Sequence, residues 1–219
     1  MRRFLKFFAR LSALLLGLSL CISPLRGFAA YNFEYEQTVS NPLKGFMPFY
    51  SPDGADDSVP YSMEWFYIPL SALISDSGEY TVREGLEPYL EAISARGNQA
   101  VFRVYLDYPG SDIGEKAVPR FIWDMGIKKE RYDEYGGGFC PDYSDGRLID
   151  ILCDFVRELA REYDGDRRIA YITTGLLGHW GEWHVCLPKL EATNEQKAKI
   201  ISAFAQSFKV TRILTRYPG

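Results

Sequence analysis

Short apolar runs alternate with amphipathic helical segments along most of this chain, and that alternation limits the fold more tightly than any other feature. Residues 65–68, 100–106, 169–173 and 212–214 are rich in aromatic and β-branched side chains and read as strands. Residues 45–50, after the Asn41-Pro42 turn signal, read as a further short strand. Between these runs lie three helical patterns. Thr81, with Glu84 completing a capping box, opens a helix whose apolar face is Leu86, Tyr89, Leu90 and Ile93, and Gly97 stops it. Ser144 opens a second, with Leu148, Ile151, Leu152, Phe155, Val156 and Leu159 on one side. After the Asp164-Gly165-Asp166 turn and the following strand, Thr193 and Gln196 form a capping box for a third, with Ile200, Ile201, Phe204 and Phe208 on its apolar face. Residues 107–143 form a connection far longer than usual, the mark of a functional loop or an inserted element.

Strands that are nearly continuous in apolar residues and separated by helices imply a parallel sheet with helices packed outside. An open doubly wound sheet and a (β/α) barrel both satisfy that order. The sequence contains neither G-x-G-x-x-G nor G-x-x-x-x-G-K-[ST], so the nucleotide-binding sheet loses its signature and the barrel is favoured. The expected fold class is therefore α/β, of the (β/α)8 TIM-barrel type. Five strands do not close eight, and such barrels typically take ~250 residues. The expectation is about the first five β/α units, over residues 31–219, as the N-terminal portion of a longer protein.

The first 29 residues stand apart. A basic start, Met1-Arg2-Arg3-Phe4-Leu5-Lys6, precedes an apolar run over 11–22 and the small-residue end Gly27-Phe28-Ala29-Ala30, the three parts of a secretory signal peptide. The apolar run is too short to span a ~30 Å hydrocarbon core. Residues 1–29 are thus expected to be removed, giving a secreted, periplasmic or cell-surface protein that meets a membrane only through that segment. Cys140, Cys153 and Cys186 remain, without C-x-x-C spacing. Zinc-ribbon and thioredoxin-like folds are excluded, and an oxidising compartment would allow one disulfide whose pairing the sequence leaves open.

A formal charge of −4 argues against nucleic acid or an anionic membrane surface as partner. Aromatic residues make up 15% of the chain, and such rings line sugar sites as well as cores. His179 and His184 are the only histidines, which excludes a multi-histidine metal cage.

The densest chemistry follows the strand at 169–173, in Gly175-Leu176-Leu177-Gly178-His179-Trp180-Gly181-Glu182-Trp183-His184. If extended, this stretch puts Trp180, Glu182 and His184 on one face and His179 opposite His184. A carboxylate among rings and an imidazole, at the carboxyl end of a strand, suits a general acid. Arg103 and Tyr105 alternate with Val104 toward the same end, Asp107 follows, and Arg216 and Tyr217 follow the last strand. Arg103, Asp107 and Tyr217 are candidate substrate contacts, as are Trp180, Trp183 and His184. Glu64 and Trp65 lie at the opposite, structural end of their strand. His179, Glu182 and His184 lack the H-E-x-x-H spacing, so no metal and no cofactor are expected.

Three stretches, Asn41-Pro42-Leu43-Lys44-Gly45-Phe46, residues 169–174 and residues 175–184, resemble a bacterial secreted family of unknown function that is similar to glycoside-hydrolase barrels. The resemblance implies a (β/α)8 barrel followed by a C-terminal β domain, with the general acid/base at Glu182. It also implies a nucleophile after a seventh strand, beyond this sequence. Gly181 stands where the wider clan has Asn before the acid/base. Two functions follow as expectations: a secreted glycoside hydrolase acting on a carbohydrate, or a non-catalytic carbohydrate-binding or cell-surface module of the same fold.

Overall fold

The computed structural model describes residues 43, 45–54 and 60–216. The expected signal peptide at 1–29 and the candidate contact Tyr217 lie outside these residues.

Four strands, β1 (Met63–Pro69), β2 (Gln99–Tyr105), β5 (Ile169–Thr173) and β6 (Arg212–Leu214), form a parallel sheet in the order β1-β2-β5-β6. A separate antiparallel hairpin joins β3 (Lys129–Tyr132) to β4 (Gly138–Pro141). Among the described residues four α-helices accompany them: α1 (Val82–Ala95), α2 (Arg120–Asp124), α3 (Gly146–Tyr163) and α4 (Asn194–Ser207). The molecule is mixed α/β with a mostly parallel sheet. Among the described residues sheet order follows chain order, without the strand reversal that gives a doubly wound sheet its crevice.

The two faces of the sheet differ. Phe66, Ile68, Phe102, Val104 and Ile172 point to the helices and meet Leu86, Leu90 and Ile93 of α1 and Leu152, Phe155 and Leu159 of α3 in the main core. The opposite face carries a small cluster of Met63, Val101 and Ala170 beside Trp65 and Tyr171, and farther along it Tyr67, Arg103 and Thr173. Each fully buried Leu, Ile or Phe on the helix side contributes ~1.5–3 kcal/mol, which makes that face the stabilising one. The other face is therefore the one on which polar groups are tolerated.

Sequence and structure differ at the ends of elements. Residues 45–50 make only isolated bridges, Phe46 to Tyr61 and Phe49 to Trp65. Pro48 has no N–H to donate, and Phe46 and Phe49 stay largely exposed, so a full ladder does not form and the sheet has four strands where five were expected. Thr81 does precede α1, but its side chain makes no cap hydrogen bond, because φ −115° and ψ 36° depart from the extended cap geometry. At α3 the cap is Asp145, which accepts from the Arg147 amide, while Ser144 bonds Asp142. At α4 the Thr193–Gln196 box forms as spaced, with Gln196 N–H donating to Thr193 Oγ1 at 3.3 Å and Thr193 N–H to Gln196 Oε1 at 2.8 Å.

The long connection at 107–143 is an inserted element that holds α2 and the hairpin. Its charged Lys129-Glu130-Arg131 run belongs to β3. Glu64 is fully buried at the amino end of β1, accepting from Arg96 (2.9 and 2.6 Å) and Asn98 (2.9 Å), a structural anchor.

Candidate functional site

Beyond β5 the chain does not stay extended. Gly175, Leu176, Gly178, Trp180, Gly181 and Trp183 all have positive φ, between 47° and 74°. Side-chain direction therefore does not alternate, and the expected shared face of Trp180, Glu182 and His184 arises from turns rather than from a period of two. His179 and His184, expected on opposite sides, have ring centroids 5.6 Å apart. Left-handed backbone costs ~1–2 kcal/mol per non-glycine residue and persists where surroundings over-determine it. Here the surroundings do so. Trp180 N–H donates to the Asp107 carbonyl at 2.8 Å, His179 N–H to the His184 carbonyl at 2.9 Å, and Trp183 N–H to the Leu177 carbonyl at 2.9 Å. Gly178 and Gly181 are required as well: a Cβ at Gly178 would lie 2.5 Å from the His184 carbonyl oxygen, and one at Gly181 2.9 Å from that of Val104.

These turns deliver Glu182 to the carboxyl end of the sheet with its side chain 12% exposed. Its Oε1 accepts from Arg103 Nη1 at 3.0 Å and also from Arg216 Nη1. Its Oε2 stands 3.7 Å from His184 Nε2. Arg103 is itself fixed: Nε donates to Thr173 Oγ1 at 3.1 Å, Nη1 to the Tyr67 hydroxyl at 3.3 Å, and the guanidinium sits 5.1 and 5.4 Å from the ring centres of Trp65 and Tyr67. The three strands β1, β2 and β5 thus hold one cation, which holds one oxygen of Glu182. The other oxygen faces His184.

A second carboxylate, Asp107 just beyond β2, is closed inside the protein. Asp107 is 2% exposed; its Oδ1 accepts from the Tyr132 hydroxyl at 2.7 Å, and its Oδ2 lies 2.7 Å from His179 Nδ1. His179 is fully buried, and its Nε2 accepts from the Cys186 amide at 2.9 Å. That acceptor role assigns the imidazole hydrogen to Nδ1, directed at Asp107. Burial and the hydrogen bond to Asp107 push the Tyr132 phenol far above its ordinary range, so it remains a donor. This cluster ties the hairpin to the site loop.

Aromatic rings form a continuous rim. Phe49 stacks on Tyr67 (6.2 Å between centroids), Tyr67 meets Tyr108 (5.5 Å), Tyr108 meets Trp180 (6.4 Å), and Trp180 meets Tyr135 (5.5 Å) and His184 (6.1 Å). Burial raises the Tyr67 phenol, with Arg103 pulling down and Glu182 up. Tyr105 is pushed up to about 12, chiefly by burial. Both hydroxyls are therefore donors at neutral pH.

Of the candidates read from sequence, Glu182, Arg103, Trp180 and His184 converge in this site, and Asp107 supports it from behind through its carbonyl and carboxylate. Trp183 turns its indole N–H to the Gly175 carbonyl at 2.8 Å and packs against the main core. Tyr67, Tyr108, Tyr135 and Thr173 are members that the sequence reading passed over. Tyr67 had one signal, its alternation with Phe66 and Ile68; Tyr135, in the Gly-rich insertion, had none. Among the described residues no group of three or more His, Cys, Asp and Glu is arranged to hold a metal ion. No protein-family model matches this chain, and no curated protein matches it.

Proposed function

We propose that this is an exported, carbohydrate-active protein of the (β/α)8 barrel type, acting on glycosides with Glu182 as general acid/base. The observation that carries the reading is the Glu182 carboxylate: one oxygen is held by two guanidinium groups, and the other is turned to His184 inside a rim of aromatic rings. Parallel strands laid down in chain order, with helices on one face and polar side chains on the other, are what a section of such a barrel contains. Barrel chemistry gathers at the carboxyl ends of strands, where this carboxylate stands. The basic, apolar and small-residue order of the first 29 residues supports export.

Glycoside hydrolysis needs a proton delivered to the leaving oxygen. Oε2 of Glu182 is the atom suited to deliver it, because Oε1 is engaged by the arginines. His184 Nε2, 3.7 Å from Oε2, needs to close by less than about 1 Å to exchange a proton with it directly. Trp180, Tyr108 and Tyr67 offer ring faces and hydroxyls for a pyranose.

Binding without turnover is the second reading, and one observation favours it. Hydrolysis of this kind uses a pair of carboxylates, and Asp107, the carboxylate bonded to the same loop through His179, has both oxygens committed within the protein. Hydrolysis and binding assays on a glycan panel separate the two. Under the enzymatic reading Glu182→Gln lowers turnover by at least ~10²-fold with little change in affinity for a neutral glycan. Trp180→Ala weakens binding by ~1–3 kcal/mol under either reading. Full activity of Glu182→Gln sinks the catalytic assignment, and no affinity for any glycan sinks both readings.

A further inference from the structure

We propose that Arg103 contacts the ligand as well as holding Glu182, its Nη2 amine donating to the sugar hydroxyl next to the glycosidic oxygen. The site then takes glycosides whose 2-hydroxyl is free; this rests on the carbohydrate reading above. A guanidinium carries five N–H donors in a rigid fork. In Arg103, Nε is engaged by Thr173 Oγ1 at 3.1 Å. Nη1 is engaged by Glu182 Oε1 at 3.0 Å, the Tyr67 hydroxyl at 3.3 Å and the Trp180 carbonyl at 3.5 Å. Nη2 makes no hydrogen bond among the described residues. Among those residues no buried side-chain nitrogen or oxygen lacks a partner, so Nη2 belongs to the 6% of this side chain that solvent still reaches.

The rest of Arg103 is immobilised. Its stem runs against two glycines: a Cβ at Gly175 would lie 2.9 Å from its Cγ, and one at Gly181 3.0 Å from its Cδ. Its guanidinium lies over the rings of Trp65 and Tyr67. A cation so nearly buried has given up most of its hydration, and every prong but one has regained a partner within the protein. Glu182 supplies the matching half. Its Oε1 takes Nη1, whereas its Oε2 accepts no hydrogen bond among the described residues and stands 3.7 Å from His184 Nε2. One open donor and one open acceptor thus flank a single ion pair, and covalent geometry keeps them within reach of two neighbouring oxygens of one sugar ring. When Oε2 meets the glycosidic oxygen, the hydroxyl beside it is the 2-hydroxyl, and Nη2 is the donor at hand. A site built around a hydroxyl rejects the analogue that lacks it, because the protein donor is then left unpaired.

The test uses phenyl glucosides, galactosides and xylosides of both anomers, each beside its 2-deoxy derivative, titrated calorimetrically into the full chain. For a glycoside that binds, the 2-deoxy form is expected to bind at least ~10-fold more weakly. Arg103→Lys keeps the positive charge but has no second amine, and it should bring the two forms within ~2-fold of each other. A purely structural role for Arg103 would weaken both forms alike and leave their ratio unchanged. A second measurement needs no variant: with isotopically labelled arginine, the Arg103 side-chain NMR signals should shift with the parent glycoside and stay in place with a saturating amount of the 2-deoxy form. Equal binding of the two forms to the unaltered protein overturns the inference, as does an unchanged ratio in a folded Arg103→Lys. Binding confined to glycans without a free 2-hydroxyl overturns it too, as does failure of every probe when a glycan of the panel binds. In these cases the carbohydrate reading survives. Absence of binding to every probe and every glycan removes the inference and the carbohydrate reading together.

Discussion

His179 Nδ1 lies 2.7 Å from Asp107 Oδ2 with both side chains buried, which joins the loop beyond β5 to the end of β2. With the Cys186 amide on its other nitrogen and Tyr132 on Asp107 Oδ1, no polar atom of the pair is left unsatisfied. The site loop is therefore anchored by a contact that lies inside the protein. His179→Ala removes one partner and leaves Asp107 with an open buried oxygen. The expected loss is about 3–5 kcal/mol of unfolding free energy, read from denaturant titration. A loss below about 1 kcal/mol would show that the loop holds itself without this pair.

Two glycines with positive φ separate backbone strain from close approach. At Gly97 a Cβ would touch nothing within 4 Å, so Gly97→Ala should cost only the ~1–2 kcal/mol of left-handed backbone. At Gly178 a Cβ would come within 2.5 Å of the His184 carbonyl oxygen, so Gly178→Ala adds a displacement of the loop to the same strain. Thermal melts should rank Gly178→Ala well below Gly97→Ala, with ligand affinity lost only in the former. Equal melting temperatures would refute the close approach.

The two Thr caps give opposite expectations. Thr193→Ala breaks a formed capping box and should cost about 1 kcal/mol. Thr81→Ala removes a side chain that makes no cap bond and should stay within about 0.5 kcal/mol of the parent. Chemical denaturation of both variants decides it.

Stability should fall in acid through one particular cluster. Arg168 donates to Glu87 and Asp166, and these bonds lower both carboxyls below their ordinary values. A carboxyl lowered in the folded state adds stability that is present above its unfolded value and is lost as pH drops through the folded one. The melting temperature should therefore decline below about pH 4, and Arg168→Met should flatten that decline. An unchanged acid slope in the variant would assign the decline to other carboxylates.

The strands and helices were legible because periodicity is local: a face of Leu148, Leu152, Phe155 and Leu159 announces itself within one segment. The Thr193–Gln196 box was legible for the same reason, and Thr81–Glu84 shows that matching residue types do not fix the backbone angles a cap needs. Glu182 could be singled out because it stands beyond a strand. Its partners could not, since Arg103 is 79 residues away and Arg216 is 34, and no spacing rule links such pairs. The extended reading of 175–184 failed because Trp180 and Trp183 adopt left-handed backbone that their own chemistry disfavours and only the Asp107 and Leu177 carbonyls secure. The hairpin at 129–141 escaped because four charged or aromatic residues carry no period long enough to recognise.

The strands that carry the site, β2 and β5, are neighbours in the sheet, yet Arg103 and the Thr173 that steadies it are 70 residues apart. Everything between them, the hairpin and two helices included, must be made before that pairing can close. During synthesis the site therefore has no existence until β5 has left the ribosome, and Arg103 waits on a half-built sheet with its guanidinium in water. A pairing between strands so far apart in the chain carries the entropic cost of closing a long loop, which a local turn does not. Glu182, which follows β5 in the chain, can become a partner of Arg103 only after that strand has been made.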